Sequence, residues 1–217
     1  MLTTQAAPSI SASVMALLQT SGAQHTPHSG RTLLGHLHGT YLLLQSWGNT
    51  DAVCLAGMFH SIYGTNAFAH QSLLVSQRAE LQAAIGAEAE ALAWLFCSID
   101  RPFAILQCLQ QGDKCNKSDV VNIKARRNTG GQNNAKLTIT HRQLQALAEI
   151  ECANLMEQGS WSTALKALYC TALDGTATLS QGALAALRTG WAHKLAEPAS
   201  MPASLPATVH VTASTAT

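Results

Sequence analysis

The chain has 217 residues, 47% of them hydrophobic, enough for one large cored domain or two small ones, and wholesale disorder is excluded. Charged residues make up only 12% and the net charge is +1, so nothing draws the whole chain to nucleic acid or to an anionic membrane. The basic excess is local: Lys114, Lys117, Lys124, Arg126, Arg127 and Lys136 meet only Asp113 and Asp119 between residues 113 and 136, which reads as a solvated loop or an anion-gripping flap.

The six cysteines form no CxxC pair, and most lie in apolar helical runs where a thiol behaves as a small hydrophobe. No basic segment followed by an apolar stretch opens the chain, and no apolar run approaches the ~20 residues of a membrane span. A cytoplasmic protein with reduced thiols is expected.

In chain order, residues 1–27 read as an extension in which Val14-Met15-Ala16-Leu17-Leu18 forms one docking helix. From Arg31 to Trp47 the residues Leu33, Leu34, Leu37, Tyr41, Leu44 and Trp47 recur at helical spacing. Gly48-Asn49-Thr50 is a turn, and the next helix, Asp51 to about Tyr63, is apolar nearly all round, which predicts a buried central helix closed by Gly64. Helices follow at about 72–85, 87–99 and 103–110. The stretch 111–135 reads as a flexible loop through Asn128-Thr129-Gly130-Gly131. Thr140 with Gln143 makes a capping box for a helix through Gln158, and two more helices cover 162–173 and 181–196. Only Lys136–Thr140 alternates as a strand would, and 198–217, with three prolines, reads as a disordered tail. The predicted fold is all-α, a single helical domain over 28–197.

Nine histidines raise the question of a metal, yet no HExxH, phosphate-cradling glycine loop or GxSxG elbow is present. His36 lies mid-helix and His60 near the end of the next one. Helices joined by a short turn fold back on each other, which brings such residues face to face. Each is either a hydrogen-bonded core histidine or a ligand. Asp100, among bulky apolar residues, needs a cation: Arg101 or a metal.

The order His36, then the apolar run Leu55-Ala56-Gly57-Met58-Phe59-His60-Ser61-Ile62-Tyr63-Gly64-Thr65, then Asp100 resembles the HD-domain superfamily, and the match extends to Ala153-Asn154-Leu155-Met156-Glu157. The resemblance implies an HD-like helical bundle and a metal held by His36, His60 and Asp100. Ser61 stands where the superfamily has its paired Asp, which implies one metal rather than two. Two imidazoles and a carboxylate suit non-haem Fe(II), with Mn or Zn also possible. His38 lies about 200° round the helix from His36 and cannot share its ion, whereas His70 is a candidate extra ligand. Tyr63, Thr65 and Arg101 are candidate substrate contacts. Glu88 and Glu90 read as helix-start charges, and Asn154 and Glu157 either line the cavity or tie two helices.

The expected function is metal-dependent oxidation of a small organic metabolite. A metal-dependent phosphohydrolase or an inactive HD-like scaffold remains open, with a small molecule as the only partner expected and no oligomeric state implied.

Overall fold

The computed structural model describes residues 10–28, 30–111, 119–126, 135–175 and 179–196. The expected tail 198–217 and the stretches 112–118 and 127–134 of the expected loop lie outside them.

The first described element is α1 (Ala12–Thr20), where the Ser11 hydroxyl accepts from Val14 N–H and Val14 and Leu18 are buried. A tight hairpin of β1 (Pro27–His28) and β2 (Arg31–Thr32) follows, with Gly30 at positive φ in its turn. Thr32 caps α2 (Leu33–Ser46), whose buried face is Leu33, His36, Leu37, Thr40, Tyr41 and Leu44. The turn through Gly48 leads into α3 (Asp51–Met58). Then come α4 (Arg78–Ile85), α5 (Ala87–Ser98) and α6 (Phe103–Gln111). A second antiparallel hairpin, β3 (Val120–Lys124) and β4 (Lys136–Thr140), precedes α7 (His141–Glu157), α8 (Thr163–Leu173) and α9 (Gln181–Ala196). The described chain is thus mostly helical around one core in which α2 and α3 pack on each other and both on α7. No helix among the described residues is long and apolar enough to cross a membrane.

Three expectations change. The central helix stops at Met58 rather than Tyr63, because the His60 ring Nδ1–H donates to the Gly57 carbonyl (2.6 Å), taking an acceptor that the next helical turn would use. Part of the expected flexible loop, 120–124, is a strand paired with 136–140. The expected helix 72–85 is a 3-10 turn, Val75–Gln77, followed by α4.

Candidate functional site

His36 and His60 meet in the core. Their side chains arrive from α2 and from the turn after α3, both residues are at most 2% exposed, and their Nε2 atoms lie 3.2 Å apart. Gly57 allows the close approach of the two elements: a Cβ there would overlap Leu44 of α2. Asn154 of α7 brings its Oδ1 to 3.2 Å from His36 Nε2. Glu157, one turn on, holds His36 Nδ1 in a short contact. Gly39 makes room for it, since a Cβ at Gly39 would overlap the Glu157 carboxylate.

The proton arrangement follows from this geometry. His60 Nδ1–H donates to Gly57, so its Nε2 presents a lone pair. If His36 donates Nδ1–H to the Glu157 carboxylate, its Nε2 lone pair faces that of His60 with no proton between them. If Glu157 keeps the proton, His36 carries its own on Nε2, and that proton is the bridge. Burial favours uncharged rings: it lowers the His36 pKa from 6.5 to about 4, aided by the Arg31 charge, and lowers that of His60 well below its ordinary value, aided by the charges of His36 and Arg101. Burial also raises the pKa of Glu157, while Arg31 pulls it down.

The hairpin of β1 and β2 covers this pair. His28 stacks on His36 with ring centroids 4.4 Å apart, Phe68 stands edge-on to His28, and Arg31 pairs with the Glu157 carboxylate while donating to the Glu157 carbonyl (2.7 Å).

Asp100 is not brought to the imidazoles. After α5 the backbone is extended and bridges to Ala125, so that Ile99 and Arg101 point inward while Asp100 points out. The Asp100 carboxylate, about a third exposed, accepts from Lys124 (2.8 Å). Arg101 holds the buried place instead, 7% exposed: its Nη1 donates to both oxygens of Glu151 (2.9 and 3.1 Å), its Nη2 donates to Thr65 Oγ1 (3.2 Å), and its plane lies over the Phe96 ring. Thr65 therefore serves Arg101.

Tyr63 donates to Glu90 (3.0 Å), which also accepts twice from Arg78; Glu90, an acid in the first turn of α5 as expected, is buried in this tie as well. His70 is exposed and touches Phe68, apart from the imidazole pair. Among the described residues no three His, Cys, Asp or Glu side chains are grouped to hold a metal. The groups that converge there are the two Nε2 atoms, each on a ring whose Nδ1 is already engaged, and the Asn154 amide oxygen, which also accepts from the Gln158 side chain (2.8 Å).

Sequence reasoning passed over His28 and left Asn154 and Glu157 undecided. The signal available was Gly39, a glycine inside an apolar helix that marks a close approach.

A separate pocket of about 450 Å³ lies between Asn49, Val53, Leu92, Arg142 and Glu149. Its buried carboxylate, Glu149, is taken by Asn49 and by Ser180 at the start of α9.

A family model described as a domain of unknown function (DUF6817) matches residues 17–101. The match takes in His36, His60, Asp100 and Arg101 and stops before Asn154 and Glu157. No curated protein and no solved structure matches the chain.

Proposed function

We propose that this chain is an HD-like, metal-dependent cytoplasmic enzyme that oxidises a small organic substrate, with His36, His60 and the Asn154 amide oxygen holding one divalent ion, Fe(II) before Mn or Zn. The observation that carries the reading is the convergence of two buried Nε2 atoms whose Nδ1 atoms are already engaged, by Glu157 and by the Gly57 carbonyl. When bound, the ion supplies Lewis acidity and, as iron, one-electron chemistry with dioxygen. Glu157 sets the orientation of the His36 ring, and Gly57 that of His60. His28, Phe68 and the hairpin exclude water from above. Oxidation is favoured over phosphate-ester hydrolysis because the nearby cations are committed: Arg101 to Glu151, and Lys124 to Asp100.

Elemental analysis of protein purified without added metal tests this. About one transition-metal ion per chain is expected, lost in His60→Ala and kept in Asp100→Asn, since an ion needs the imidazole and not the outward carboxylate. Full retention in His60→Ala, or a metal-free wild-type chain, overturns it and leaves the scaffold reading.

A further inference from the structure

The cleft between α3, α5 and α7 shares no lining residue with the imidazole pair, and its volume of about 450 Å³ suits a small organic molecule. Its buried lining is Val53, Leu92 and Ala146 together with Glu149. Arg142 and Glu88 stand exposed at its edge and pair with each other (3.3 Å), so their charges cancel.

Glu149 is the exception among the buried acids. Glu90 and Glu151 are each held by an arginine, Arg78 and Arg101, and the Glu157 carboxylate by Arg31. Glu149 is 1% exposed, and among the described residues no cationic side chain pairs with it. Its partners are neutral. Asn49 Nδ2 donates to Oε2 (3.1 Å), the Ser180 hydroxyl donates to the same oxygen (3.2 Å), and Ser180 N–H donates to Oε1. Because the Ser180 oxygen accepts from Ala183 N–H (3.1 Å), its own proton is free for Glu149. These three donors meet a carboxylate that accepts about four, which leaves a lone pair on Oε1. The start of α9 lends about half a positive charge through Ser180, short of a full counter-charge. A carboxylate so buried is costly until a cation completes it.

We infer that the cleft binds a small organic amine as its ammonium ion, with an ammonium N–H donating to Glu149 Oε1 and the hydrocarbon body lying against Val53, Leu92 and Ala146. A bare inorganic cation would leave most of the volume and its apolar lining unused. A neutral alcohol satisfies the lone pair but not the charge, and an organic anion meets Glu149 as a like charge. The site is independent of the metal reading and stands if that reading fails.

The test titrates phenethylamine, 2-phenylethanol and phenylacetate into the isotope-labelled full chain at pH 7 and follows its amide resonances by NMR. Phenethylamine is expected to bind roughly tenfold or more tightly than the other two, on the scale of a hydrogen bond to a charged group. The shifts are expected to concentrate at Asn49, Leu92, Glu149 and Ser180. Glu149→Gln keeps the shape and removes the charge, and is expected to bring phenethylamine down to the affinity of the alcohol while leaving the alcohol's own affinity unchanged. Ala91→Phe fills the cleft from α5 without altering Glu149, and is expected to abolish the binding of phenethylamine. If circular dichroism shows Glu149→Gln unfolded, Ala91→Phe carries the comparison. Phenethylamine binding no more tightly than 2-phenylethanol, keeping its affinity in either variant, or shifting resonances only away from the cleft overturns the inference.

Discussion

At the residue scale the site turns on Gly39. Its missing Cβ is the space that the Glu157 carboxylate occupies on its way to His36 Nδ1. Gly39→Ala therefore pushes Glu157 aside and leaves a buried imidazole nitrogen without its partner, a cost of about 1–3 kcal/mol by the scale of overpacking and lost buried hydrogen bonds. Metal affinity should fall roughly 10–100-fold, the usual consequence of removing the group that orients a histidine ligand. Urea unfolding and a zinc titration measure the two effects; unchanged affinity would separate Glu157 from ligand orientation. The His36–His60 pairing was legible in the sequence, because a short turn between two apolar helices leaves few other places for both rings. Glu157 was not, since it comes from α7, 121 residues beyond His36. The place of Asp100 was not legible: a helix through residue 99 leaves it among apolar side chains, whereas the chain is already extended after Ser98, and that period-two alternation turns Arg101 in and Asp100 out.

At the scale of elements, the helices were legible wherever apolar spacing set them, and α5, α7 and α9 begin or end within a residue or two of expectation. The hairpin of β3 and β4 was half visible. Lys136–Thr140 alternates clearly, while Val120–Lys124 sits inside the basic stretch that suggested a loop, and its inward residue, Ile123, is buried against α6. Charge masked periodicity there. The start of α4 is fastened differently, by Arg78, whose Nε and Nη2 reach the two oxygens of buried Glu90 on α5 at 2.6 and 2.8 Å while its guanidinium lies over Trp94. Glu90→Gln removes the charge and leaves Arg78 with an amide that cannot accept at both atoms. A loss of about 2 kcal/mol is expected, below the 3–5 typical of a fully buried pair because Arg78 is partly solvated. Amide exchange should quicken in α4 before it does in α7; uniform exchange across both helices would argue that the pair does not locally fasten α4.

For the whole molecule, the buried imidazoles link folding to pH. His36 sits where α2, the turn after α3 and the end of α7 meet, so the folded chain keeps it neutral down to about pH 4, whereas the unfolded chain protonates it near 6.5. Between those values the unfolded state binds the extra proton, so stability is complete above about pH 6.5 and falls as the pH drops toward 4. The slope is about 1.4 kcal/mol per pH unit for one such group, or about 3 kcal/mol across the window for His36. His60 and His28 are shifted in the same direction, chiefly by burial, and add to the loss. Glu157 opposes it: its raised pKa keeps a proton in the folded state longer than in the unfolded one, so its contribution weakens as pH rises. The charges of Arg31 and Arg101, which face the cluster, also oppose protonation of His36. Urea unfolding of chelator-treated protein at pH 7.5, 6.5 and 5.5 should therefore show falling stability, and His36→Asn should flatten the curve even though that variant starts lower. A wild-type stability independent of pH over this range would mean that the rings already carry their proton in the folded chain, and would remove the neutral, lone-pair-bearing imidazoles on which metal binding depends.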